Sequence, residues 1–154
     1  MRQREPAAEF NIWADPEAAS VVFGAGWTVR MIGLDVTLRA RATAAVQERM
    51  AEFGVLGTQL LLPAFARYAD SHNLTGEPPV RDVCAVVSAV EPSAFAYTPA
   101  SVQVETTGRV TSGMTVTDFS PAIIPNAAVA TDIDVDRFWE LVWRTYESLA
   151  AGLG

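Results

Sequence analysis

The 154-residue sequence predicts a single α/β domain with a small antiparallel strand region and a terminal amphipathic helix. Three observations lead there. Apolar residues recur at helical spacing over residues 43–53, 58–70 and 134–149, and short runs of strand character fall between residues 27–36 and 101–132. Half of all residues are hydrophobic, at a mean hydropathy of +0.19, so the chain can bury one real core.

Charge and cysteine content then exclude whole classes of function. The formal charge is −7 and the pI about 4.6, with eleven arginines, no lysine and no basic run, which excludes a nucleic-acid partner and a membrane-surface helix. No run approaches the ~20 apolar residues of a membrane span, and the charged start Met1–Pro6 is not followed by the apolar segment of a leader. The single cysteine, Cys84, cannot build a disulfide framework and sits in an apolar run where a thiol is inert packing. The expected location is the cytoplasm.

Glu9 and Asn11 stand two apart in an otherwise apolar stretch. In an extended segment that spacing puts them on one side, with Phe10 on the other. Asp15-Pro16-Glu17 reads as an N-cap, a proline at the first helical position and an acid in the first turn, and Gly24 and Gly26 end that helix. Trp27–Val36 reads as a buried strand. Helices are expected from Thr43, through Val46, Met50 and Phe53, and over Thr58–Asp70, with Gly54 and Gly57 between them and Pro63 near the start of the second. His72 lies in the polar loop 71–79 and reads as a solvated residue.

Pro78 and Pro79 stop the chain ahead of a helix expected from Asp82 to residue 90, hydrophobic on all sides and therefore central to the core. Asp82 has two readings. It can accept hydrogen bonds from the free N–H groups at the helix start, or serve as a rigid oxygen ligand for a hard cation such as calcium. Beyond residue 92, short antiparallel strands are expected at 101–105, 108–111 and 114–119, with turns at Gly108 and Gly113. A further strand covers 127–132. Asp134 or Asp136 caps the terminal helix, whose apolar stripe runs through Phe138, Leu141, Val142, Thr145 and Leu149, widened by Trp139, Trp143 and Tyr146.

Four blocks carry a resemblance. Residues 6–19 (PAAEFNIWADPEAA), 31–37 (MIGLDVT), 80–86 (VRDVCAV) and 107–116 (TGRVTSGMTV) together resemble the C-terminal half of the inosine–uridine-preferring nucleoside hydrolases. That resemblance implies the C-terminal part of a Rossmann-like fold and hydrolysis of the N-glycosidic bond of a ribonucleoside to base and ribose. It further implies a calcium ion that holds the attacking water, with Asp82 as one calcium ligand and Glu9 and Asn11 bound to the ribose hydroxyls. Three departures qualify it. The family's aspartate-rich loop is absent from these 154 residues, and Gln3 stands where the family has a further ribose-binding asparagine. Arg81 occupies the position of the family's histidine, and a guanidinium, which keeps its proton throughout the neutral range, cannot protonate a leaving base. No catalytic residue is therefore assigned, and calcium binding by the isolated chain is expected to be weak or absent. The partners expected are a ribonucleoside and either further copies of the chain or a separate N-terminal half. The alternative is a non-catalytic homologue acting as a binding or subunit-interaction module.

Overall fold

The computed structural model describes residues 7–71 and 76–153, so the readings of Gln3 and His72 lie outside the described residues. The chain divides into two compact units. Of the described residues, one comprises 35–71, 76–95 and 133–153, the other 7–34 together with 96–132.

The sheet unit holds two short helices, α1 (Phe10–Ala14) and α2 (Pro16–Gly24), and four strands, β1 (Val29–Met31), β2 (Phe95–Val104), β3 (Thr115–Asp118) and β4 (Ala127–Ile133). Strand order is β1-β4-β2-β3. β1 runs parallel to β4 with Val29 opposite Ala127, and β2 runs antiparallel to β3 with Val104 opposite Thr115. Residues two apart on a strand share a face, so Ala100 with Val102 and Ala127 with Val129 meet Phe23 of α2 in one buried cluster.

One polar side chain ties this unit together. Asn126, just ahead of β4, accepts the Val102 N–H at 2.7 Å, and its amide donates to the Val102 carbonyl at 2.9 Å and the Phe23 carbonyl at 3.2 Å. The pair of bonds to Val102 is what a neighbouring strand residue would have made.

Two strand expectations are corrected here. Between residues 27 and 36 only Val29–Met31 is strand, because pairing with β4 covers just three residues and a helical turn, α3 (Leu34–Thr37), follows. Trp27, expected inside, is 59% exposed. Residues 108–111 form a turn, since the Glu105 carboxylate takes the N–H groups of Thr107 at 2.7 Å and Gly108 at 2.9 Å and draws the backbone away from a ladder. Gly113 closes that turn, donating to the Glu105 carbonyl at 2.7 Å. It does so at φ +85°, and a Cβ there would lie 2.7 Å from the Cα of Trp13. The turn thus presses backbone to backbone on α1.

The helical unit contains α3, α4 (Ala44–Ala51), a π-helical turn (Leu56–Leu61), α5 (Leu62–Ser71), α6 (Arg81–Val90), a 3-10 turn (Pro92–Ala94) and α7 (Val135–Leu153). The Thr43 hydroxyl caps α4 by accepting the Val46 N–H, and Met50 is fully buried. Gly54 breaks the chain as expected, at φ +57°. Gly57 does not break it: it lies inside the π-turn, where a Cβ would collide with the Met50 carbonyl oxygen at 1.8 Å. Pro63 falls at the second residue of α5, so that helix begins anew after the π-turn.

Asp134 caps α7, accepting the Arg137 N–H at 3.0 Å. Its buried residues are Phe138, Trp139, Val142 and Trp143, so the inward stripe is rotated from the expected one, and Thr145 and Leu149 face solvent. The cause is aromatic packing. Trp139 and Trp143 stack at 5.0 Å, Phe53 stacks on Trp143 at 5.9 Å, and the Arg49 guanidinium sits 4.8 Å over the Trp143 ring. Large rings bury more area than Leu149 or Thr145 could, and they decide which face turns inward.

Two outcomes are expected. Gly113→Ala places a side chain in a left-handed conformation and against the Trp13 backbone, and it should cost about 2–4 kcal/mol in a urea unfolding curve. An unchanged midpoint would show that the turn yields. The hydrogen bonds donated to Glu105 hold its carboxyl below the usual carboxylate value. A depressed folded pKa gives stability that is full above the unfolded value of about 4.3 and lost as pH falls through the lower folded value. Wild type should therefore lose more stability than Glu105→Ala between about pH 5 and about pH 3. Parallel acid profiles would contradict this.

Candidate functional site

Glu9 and Asn11 fall at the start of α1 in the sheet unit. Glu9 is extended, at φ −72° and ψ 147°, and is the N-cap: its Oε2 accepts the N–H groups of Asn11 at 2.8 Å and Ile12 at 3.3 Å. The extended segment expected from their spacing is therefore corrected to a capped helical turn. A free helix start leaves its first N–H groups without partners, and a carboxylate one residue upstream satisfies two of them. The two residues still share one turn, now for that reason, and the Asn11 side chain is exposed. Both bonds to Glu9 end on one oxygen, leaving Oε1 outside them. An acceptor-only carboxylate beside an amide that both donates and accepts suits a pair of neighbouring hydroxyls.

Asp15 ends α1 and caps α2, accepting the Ala18 N–H at 2.9 Å. α1 is thus followed, after one capping acid, by the proline that opens α2. Gly113 fixes one side of α1 by contact with the Trp13 backbone.

Arg81 and Asp82 open α6 in the helical unit. A short antiparallel bridge sets the start of that helix: Ala42 N–H donates to the Pro78 carbonyl at 2.9 Å, Val80 N–H to the Ala40 carbonyl at 2.9 Å, and Arg41 pairs with Pro79. The Gln47 amide adds bonds to the carbonyls of Ala42 and Gly76, at 2.7 and 3.0 Å. Val80 occupies the N-cap position with no side-chain cap bond, so Asp82 is the second helical residue and does not cap the helix. It is exposed and keeps only the general attraction of a carboxylate to the positive helix end. Arg81 is half-buried, and its Nε is enclosed without a hydrogen-bond partner among the described residues, as is the hydroxyl of Thr37.

The expectation that α6 is a core element on all sides is corrected as well. Cys84, Val87 and Ser88 are buried, whereas Val86 is 65% and Val90 67% exposed. Burial pushes the Cys84 thiol up to about 11, which favours its protonated form at neutral pH.

Calcium takes six to eight oxygens. Among the described residues there is no group of three or more histidine, cysteine, aspartate or glutamate side chains that could hold a metal ion, and Asp82 offers one exposed carboxylate. These residues do not by themselves form a calcium cage. Two positions that the sequence did not single out, Asn126 and Glu105, organise the elements around α1. The available signals were slight: an asparagine between a proline and a strand, and an acid two and three residues ahead of Thr107-Gly108.

Comparison with known proteins places these segments in a family. Residues 2–140 match the inosine-uridine preferring nucleoside hydrolases. A protein of that description from Leishmania major is 40% identical over 143 residues, which is 89% of this chain and 45% of the relative. A pyrimidine-specific ribonucleoside hydrolase, RihA, from Salmonella paratyphi B is also 40% identical over 143 residues, covering 46% of that protein. Among solved structures, a purine-preferring ribonucleoside hydrolase from Gardnerella vaginalis superposes with a TM-score of 0.79 at 29% identity, over 94% of this chain and 47% of that one. The chain spans about half the length of the curated relatives it matches. It belongs to the inosine-uridine preferring nucleoside hydrolase family.

Proposed function

We propose that this chain is the ribose-binding part of a nucleoside hydrolase site, one that cleaves the N-glycosidic bond of a ribonucleoside to give base and ribose. The observation that carries the reading is the capped turn of α1. Glu9 Oε2 holds the backbone N–H groups of Asn11 and Ile12 and so fixes the Glu9 carboxylate, and the backbone from which Asn11 projects, before any ligand arrives. Glu9 Oε1 accepts from one ribose hydroxyl, and the Asn11 amide donates to or accepts from its neighbour. A carboxylate pre-set in this way loses little freedom on binding. The printed descriptions of the relatives, inosine-uridine preferring, pyrimidine-specific and purine-preferring, share the ribonucleoside and differ in the base. Groups directed at the sugar fit what those substrates have in common.

Asp82 is assigned as one oxygen ligand of a calcium ion whose remaining ligands must come from outside the described residues. When bound, such an ion would hold and acidify the attacking water. Departure of the base also calls for a proton, which Arg81 cannot supply at neutral pH. The 154 residues on their own are therefore a binding module, and hydrolysis requires further groups. A reducing, cytoplasmic location accords with the single buried cysteine.

Three measurements follow. The purified chain should show no turnover of inosine or uridine above a mock purification, and turnover that disappears in Asp82→Ala would overturn the reading of the chain on its own as a binding module. Calorimetric titration should give calcium affinity on the order of millimolar or weaker, because one carboxylate is too few ligands; micromolar binding would mean that other residues complete the cage. Ribose should bind weakly by NMR titration, and Asn11→Ala should abolish the shifts around α1. Shifts that persist in that variant would remove Asn11 from the sugar site.

A further inference from the structure

We propose that Gly113 is a positioning residue of the sugar site: the loop between β2 and β3 holds both ends of the segment from Ala8 to Trp13, and the missing side chain at Gly113 lets it do so. This role rests on the reading of α1 as the sugar-binding turn. The loop is a bulged one. Beyond the last strand pair, Val104 opposite Thr115, the Glu105 N–H donates to the Met114 carbonyl at 2.9 Å and the Gly113 N–H to the Glu105 carbonyl at 2.7 Å. Glu105 thus faces two residues, and Gly113 takes the left-handed conformation, φ +85°, that such a bulge requires. The loop is also bonded on itself. The Glu105 carboxylate accepts the N–H groups of Thr107 and Gly108 and, at 3.0 Å, the Thr107 hydroxyl, and the Ser112 N–H donates to the Gly108 carbonyl at 3.0 Å. Bulges recur where a neighbouring side chain has to be aimed.

The atoms that Gly113 meets belong to the two ends of the sugar-binding turn. A Cβ at residue 113 would lie 2.7 Å from the Cα of Trp13, 3.0 Å from its backbone N and 3.2 Å from the Cβ of Ala8. Ala8 is 2% exposed and directly precedes the capping acid Glu9. At the far end, the Trp13 N–H donates to the Glu9 carbonyl at 2.9 Å and closes α1. One glycine therefore sets the residue before Glu9 and the amide that closes the turn after Asn11. Because the loop is bonded on itself, the strain of a side chain at 113 falls on Trp13 and opens its bond to Glu9. Asn11 then moves relative to the Glu9 carboxylate, and two neighbouring hydroxyls no longer meet both groups at once.

The test compares Gly113→Ala with Gly26→Ala in the full 154-residue chain. Gly26 lies in the same unit at φ +75°, and an added Cβ there has no atom within 4 Å, so alanine brings left-handed strain without pressing on α1. Binding of methyl ribofuranoside and of its 2-deoxy counterpart is followed by NMR titration, with hydrogen exchange of the Asn11, Ile12 and Trp13 amides measured on the same samples. In Gly113→Ala the ribofuranoside should bind about tenfold more weakly. The 2-deoxy sugar, which lacks one hydroxyl of the pair, should lose less, and the amides should exchange faster. Gly26→Ala should keep the wild-type ratio of the two affinities and the wild-type exchange in α1. Unfolding lowers both affinities by one factor and leaves their ratio unchanged, so the ratio separates positioning from stability. If Gly113→Ala does not fold, Glu105→Ala takes its place: it frees the loop without a clash and should shift the ratio in the same direction. Wild type that binds the ribofuranoside, with an unchanged ratio in whichever variant folds or an equal shift in Gly26→Ala, would overturn the role of Gly113 and leave the sugar reading standing. Wild type that binds neither sugar would overturn the sugar reading, and the role of Gly113 with it.

Discussion

Backbone amides that neither a helix nor a strand can satisfy set the form of this molecule. Each must find a partner or carry a cost of about 1–3 kcal/mol when buried. At junction after junction one side chain supplies it. Asn126 stands in for a strand neighbour to Val102, and Glu105 closes the turn that ends in Gly113. Glu9, Asp15, Thr43 and Asp134 each accept from the start of a helix. The regular elements are short, so these junction residues carry a large share of the specification. The proposed sugar-binding turn is one such junction, with its capping acid assigned a second role.

The legibility of the sequence follows the same division. Asp15-Pro16 and the choice of Asp134 or Asp136 announced their helices because capping is a local rule, and the helix from Thr43 and the first half of the terminal stripe followed from periodicity. What escaped was decided by partners distant in sequence. The strand at Trp27–Val36 shrank to three residues because β4 offers register for no more, and the stripe of α7 rotated because Phe53 and Arg49, ninety residues upstream, stack on Trp143. The apolar composition of α6 suggested full burial. Composition gives the apolar content of a helix and does not say which of its faces is buried.

Glu9 and Asn11 show how a correct grouping can rest on the wrong geometry. Their two-residue spacing pointed to one side of an extended segment, whereas a helix would separate such side chains by about 200°. They stay together because Glu9 precedes the helix and turns its carboxylate back over the first turn. Asp82 moved the other way: its position at a helix start suggested a cap, and the structure leaves its side chain out of the capping bonds.

Cys84 gives the helical unit a property of practical use. It is the only cysteine, it is fully enclosed on the inner side of α6, and burial holds its thiol in the protonated form at neutral pH. A thiol reagent can react only after that helix lifts from its neighbours, whereupon the group regains the ordinary acidity of a solvated cysteine. The rate of chemical labelling therefore reads the opening of α6 in isolation. The sheet unit, having no thiol, contributes nothing to the signal, so the protein carries its own site-specific clock for one of its two units.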